Sequence, residues 1–138
     1  MPQSIAQFSL LVADYDEALS FYIGRLGFEL LEDTRLGPDK RWVRVRPAGA
    51  TGCAILLARP STPEQRALIG RQAADRVWLF LDTDDFERDY RRLEERGVEI
   101  VRERSEETYG KVCVFADCYG NRWDLIQRTP DPGAGAQD

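Results

Sequence analysis

Residues 78–101 read WLFLDTDDFERDYRRLEERGVEIV, and residues 10–31 read LLVADYDEALSFYIGRLGFELL. Both pass from an apolar run through an acidic turn into a helical pattern, then a glycine and a second apolar run. At an offset of seventy residues Leu11 falls on Leu81, Asp14 on Asp84, Glu17 on Glu87, Gly27 on Gly97 and Glu29 on Glu99, without a gap. The chain therefore reads as an internal duplication. Its fold is more legible than its chemistry.

The first copy starts with a strand over 5–12, in which Gln7, Ser9 and Leu11 share one face and Phe8, Leu10 and Val12 the other. Asp14 caps a helix with Glu17 as its capping-box partner. Tyr15, Ala18, Leu19, Tyr22 and Leu26 recur at helical spacing as its buried stripe, and Gly27 ends it. A strand begins over 28–31, the polar stretch 32–40 with its Gly-Pro is a loop, and strands follow over 41–46 and 53–57. In the connector 59–76, Ser61 or Thr62 caps a short helix over 63–69 with Pro63 at its first position.

The second copy repeats the plan. Asp84 and Glu87 cap a helix with Phe86, Tyr90 and Leu93 as its stripe, closed by Gly97. Strands are expected over 98–101, 111–116 and 122–127, with RERSEETYG as a loop. This gives an α+β chain of two βαβββ modules, 1–58 and 77–127, joined by a connector over 59–76. The tail 128–138 has the composition of a disordered end. A four-stranded sheet with one helix covers only one of its faces. Two copies curling their free faces together would make curved mixed sheets around a cleft, the default ligand site, and a homodimer is expected.

The totals narrow the function classes. The chain has 138 residues, 43% hydrophobic and 31% charged, the makeup of a water-soluble globule. A net charge of −5 argues against nucleic acid as partner. No apolar run approaches a membrane span, and MPQSIAQFSLL lacks the features of a signal peptide, so a cytoplasmic location is expected. Cys53, Cys113 and Cys118 have no metal-type spacing and read as buried reduced thiols.

FSLLVADYDEALSFYIGRLGFELL, WLFLDTDDFERDYRRLEERGVEIV and FADCYGNRWDLIQ together resemble the vicinal oxygen chelate superfamily of glyoxalases, bleomycin-resistance proteins and extradiol dioxygenases. The resemblance spans residues 5–127, although Cys118 stands where proline is common. It implies paired βαβββ modules, often completed across a dimer. It also implies four metal-ligand positions, which carry over to Gln7, Leu56, Trp78 and Asp124, where His, Glu or Gln is usual. Leu and Trp supply no lone pair for a divalent cation, and the chain has no histidine. No metal and no cofactor is therefore expected.

The expected cleft face holds Gln7, Ser9, Trp42, Arg44, Arg46, Ala54, Leu56, Trp78, Phe80, Asp82, Arg122 and Asp124, an aromatic floor with charges of both signs. It suits a flat or partly cationic small molecule, stacked on the rings and paired with Asp82 or Asp124. The plainer account is aromatic filling with neutralised aspartates. Asp82 and Asp124 are also candidates for a general acid/base pair, against a role as salt-bridged carboxylates. Tyr109 is a candidate lid donor or a plain turn aromatic. Cys113 or Cys118 as a nucleophile lacks an activating histidine, and no phosphate-cradling glycine loop is visible.

The leading expectation is a metal-free binding protein similar to the superfamily's drug-sequestering members. One alternative is a lyase, isomerase or dioxygenase-type enzyme with a relocated metal or carboxylate chemistry. The other is an interaction module with a closed cleft.

Overall fold

A computed structural model describes residues 2–130. The expected disordered tail falls, from residue 131 on, outside the described residues. Two compact units are present. One comprises the residues up to Ala74 together with Asp117–Asn121; the other comprises Asp75–Ala116 together with the residues from Arg122 on. Each contains one four-stranded mixed sheet.

In the first unit, strands β1 (Gln7–Leu11), β2 (Glu29–Arg35), β3 (Arg41–Arg46) and β4 (Ala54–Ala58) lie in the order β1-β4-β3-β2. β1 and β4 are parallel; the other pairs are antiparallel. Helix α1 (Tyr15–Leu19) starts at Asp14, whose carboxylate accepts from the Glu17 amide at 2.8 Å. Glu17 does not complete a reciprocal box, because the Asp14 amide meets the Tyr119 hydroxyl instead. One face of the sheet buries Leu10, Val12, Val43, Val45, Ile55 and Leu57 with Tyr15, Ala18, Phe21 and Tyr22 of the helical segment and Phe28 just after it. A buried side chain of this size stabilises by ~1.5–3 kcal/mol.

In the second unit, β5 (Val77–Asp82), β6 (Glu99–Glu107), β7 (Gly110–Ala116) and β8 (Arg122–Arg128) lie in the matching order β5-β8-β7-β6, with β5 and β8 parallel. Helix α3 (Phe86–Glu95) buries Phe86, Tyr90 and Leu93, the expected stripe. The connector holds α2 (Pro63–Ala67), capped by Thr62 rather than Ser61.

Five local expectations need correction. The second helix is capped by Asp85, which accepts from the Arg88 amide, not by Asp84. Glu87 bonds Arg104 and Lys111 instead of the helix start. The first helical segment continues as a π-helical turn over Ser20–Arg25. That turn absorbs one extra residue, since Asp14 to Gly27 is one position longer than Asp85 to Gly97. The phase shift brings Phe21 into the core and leaves Leu19 and Leu26 half-buried.

The last two corrections are strand lengths. β2 and β6 run through EDTR and RERSEE, which the sequence suggested were loops. Both are edge strands. Their backbones pair on one side only, so their charged residues need no apolar alternation, and edge charges discourage strand-to-strand aggregation. Arg104 of β6 extends its guanidinium over the Phe86 and Tyr90 rings, 5.1 and 5.2 Å from the centroids. Of the cysteines, only Cys113 is fully buried; Cys53 is half-buried and Cys118 exposed, and all are free thiols.

Candidate functional site

Strand alternation leaves each sheet one face turned away from its helix. On the first sheet this face carries Ser9, Leu56, Arg44 and Glu32 as successive register partners. Gln7 pairs with Ala54 in the next row, and Trp42 with Thr34 on the other side. Arg44 Nε donates to Gln7 Oε1 at 2.9 Å, and its Nη1 lies 3.6 Å from Glu32 Oε1. Arg46 Nε donates to Glu29 Oε1 at 2.8 Å. Half-exposed pairs of this kind contribute ~0–1 kcal/mol each. Their consequence is chemical, because the Gln7 amide oxygen already accepts from a cation.

On the second sheet the corresponding row is Phe80, Asp124, Val114 and Arg102. Phe80 is 65% exposed. Beside it the Asp124 Oδ1 is buried and accepts no hydrogen bond among the described residues. Burial pushes the Asp124 carboxyl above its usual range, while the charges of Arg102 and Arg128 pull it back. Leaving such an acceptor unmatched costs ~1–3 kcal/mol, and an unmatched buried group in a native protein calls for a reason.

The other candidate residues are less available. Asp82 lies in the neighbouring row, well exposed, with Arg128 Nε at 3.5 Å. Arg122 Nη1 donates to the Asp75 carbonyl at 3.1 Å. Trp78 sits at a register shift between Val77 and Leu79, where the alternation that would align it with Phe80 breaks. Its indole meets that of Trp123 edge-on at 5.6 Å. Tyr109 is exposed in the tight turn between β6 and β7, with its carbonyl accepting from the Thr129 amide. Cys113 is pushed up to about 12, chiefly by burial and then by the Asp124 charge, so it is a thiol and not a nucleophile at neutral pH.

A cavity of about 620 Å³ lies within the first unit, lined by Tyr15, Lys40, Arg41, Trp42, Leu56 and Arg59 among others. Of these the sequence pointed only to Trp42 and Leu56. The run Lys40-Arg41-Trp42 is the signal in the sequence, although Lys40 falls in the polar stretch 32–40 expected as loop.

The family model for the glyoxalase/bleomycin resistance protein/dioxygenase superfamily matches residues 4–125. The chain belongs to that superfamily. An uncharacterised protein of Shewanella frigidimarina is 55% identical over 128 residues, covering 92% of this chain and 95% of the relative. Among solved structures, UcmS2 has a TM-score of 0.78 at 28% identity, covering 91% of this chain and 98% of its own. TnmS3, an antibiotic binding protein from Streptomyces sp. CB03234, has a TM-score of 0.73 at 31% identity, covering 93% and 98%.

Metalloenzymes of the superfamily hold a divalent cation, and the residues here do not fit one. Of the four carried-over positions, Leu56 and Trp78 have no donor for it. Gln7 is engaged by a guanidinium. Only Asp124 has an uncommitted oxygen. No group of three or more Asp, Glu, Cys or His suited to a metal occurs among the described residues. A catalytic zinc takes about three protein ligands, and hard cations about six oxygens. Among the described residues no helix is long and apolar enough to cross a membrane.

Proposed function

We propose that this superfamily member is a metal-free binding protein for a flat, partly cationic small molecule. The observation that carries the reading is the pairing of Phe80 and Asp124 across β5 and β8. An exposed ring lies beside a carboxylate with one buried, unmatched oxygen. A planar cation stacked on Phe80 supplies what Asp124 lacks, since a cation over a ring contributes ~0.5–2 kcal/mol and a charge-assisted hydrogen bond adds to it. Covering ~100 Å² of apolar wall contributes only ~2.5 kcal/mol, less than association costs. The charged contact therefore decides affinity. Gln7 and Arg44 of the first unit are bonded to each other and take no part in this pairing. Asp82, Trp78, Arg122 and Tyr109 are secondary contacts.

The antibiotic binding neighbour TnmS3 supports a binding role over a catalytic one. The protein works in the cytoplasm as a homodimer; a monomer in light scattering at micromolar concentration would count against that assembly.

Calorimetric titration with proflavine, a planar cation, tests the reading. Wild-type protein should bind it saturably, and both Asp124→Asn and Phe80→Ala should weaken it about tenfold or more, the equivalent of ~1.4 kcal/mol. Equal affinity in all three proteins would refute it. A second reading is favoured by the raised carboxyl of Asp124, a property that suits a general acid or base. Substrate turnover lost in Asp124→Asn with ligand binding retained would support that reading instead.

A further inference from the structure

We infer that the 620 Å³ cavity of the first unit is a second binding site, one that takes a flat aromatic molecule bearing a carboxylate or similar monoanion. It goes beyond the proposed function, because it lies wholly within the first unit and selects the opposite charge. One wall is apolar, from Leu56, Leu57, Ala58 and Pro60, with the half-buried Trp42 indole as a stacking surface.

The rim is cationic. Lys40, Arg41 and Arg59 line it against a single acid, Asp39. Arg41 is already matched, with Asp33 Oδ2 at 2.6 Å and Asp16 Oδ1 at 2.8 Å. Lys40 and Arg59 form no ion pair among the described residues, so with Asp39 they leave one uncompensated positive charge.

Tyr15 adds a fixed neutral donor. Its hydroxyl oxygen accepts from the Arg41 amide at 3.2 Å, and the Arg41 guanidinium lies 5.2 Å from its ring centroid. A phenol accepting one bond still has its own proton to donate, and this side chain is 5% exposed. A ring against Trp42 with its carboxylate toward Lys40, Arg59 and the Tyr15 hydroxyl satisfies each of these groups. A merely solvated rim would show no preference between an acid and its amide.

Titration calorimetry on the full chain with 2-naphthoate and with 2-naphthamide tests this directly. The acid should bind up to roughly tenfold more tightly than the amide, as two exposed charge contacts imply. The double variant Lys40→Gln, Arg59→Gln should erase that preference. Both side chains are exposed, and circular dichroism checks that the fold is kept. Asp124→Asn should leave naphthoate binding unchanged, separating this site from the proposed one. Equal affinity for acid and amide, no binding up to millimolar concentration, a double variant that behaves as wild type, or naphthoate binding lost in Asp124→Asn would each overturn the inference.

Discussion

Phe80 and Asp124 are register partners on the parallel strands β5 and β8, so an exposed phenyl ring stands beside a carboxylate whose Oδ1 is buried without a hydrogen bond. The Asp124 carboxyl is raised by burial, so folding disfavours the charged form. The penalty grows as pH rises from the ordinary carboxyl value toward the raised one, and vanishes below the ordinary value. Asp124→Asn should therefore stabilise the protein by ~1 kcal/mol at neutral pH while weakening planar cations. Urea denaturation at pH 7 and about pH 4 checks the sign: the gain should shrink at the lower pH.

Tyr22 donates a 2.7 Å hydrogen bond to Asp117 Oδ2 inside the first unit. Asp117 also accepts from the backbone amides of Tyr119 and Asn121 and from the Asn121 side chain. Tyr22 is fully buried, and a hydrogen bond to a charged group contributes ~1.5–3 kcal/mol. Tyr22→Phe should lower stability by that amount in chemical denaturation, with little change in the denaturant dependence.

Gly70 and Gly97 both have positive φ, 80° and 70°, but their surroundings differ. A Cβ on Gly70 would overlap the Tyr119 carbonyl oxygen, whereas one on Gly97 meets nothing within 4 Å. Gly97→Ala should cost only the left-handed backbone penalty, ~1–2 kcal/mol. Gly70→Ala must also displace a backbone carbonyl and should cost clearly more. Paired thermal melts of the two variants test the ranking.

Cys113 is buried and its thiol is pushed up to about 12. It should resist Ellman's reagent in the native protein and react on unfolding, while Cys118, surface-exposed although its own thiol is also pushed up to about 12, should react faster than Cys113 but slower than a free thiol. Because the folded value lies above the ordinary thiol value near 9, the unfolded chain loses this proton first. Stability contributed here is full below about pH 9 and is lost as pH rises toward about 12. Cys113→Ala should flatten that alkaline loss.

The duplicated plan was legible because its marks are local: the cap at Asp14, the Phe86-Tyr90-Leu93 stripe and the left-handed glycines 27 and 97. The gap-free match of the two copies concealed the extra residue in the π-helical turn of Ser20–Arg25, since a π turn leaves no composition signal. EDTR and RERSEE hid two edge strands because strand pairing of the backbone is invisible in charged sequence. Phe80 and Asp124 followed from strict alternation. Trp78 did not, because a register shift interrupts β5 beside it. Nor did strand patterns disclose the rim of Lys40 and Arg59, which comes from a hairpin and a connector.

Proflavine affinity measured on chelator-treated protein, without and with added Zn, Ni, Mn or Fe, tests the central claim most directly. Saturable binding that persists after metal removal, is indifferent to each added ion and weakens about tenfold in Asp124→Asn is the outcome expected. Binding that disappears on chelation and returns with one of those ions would contradict it.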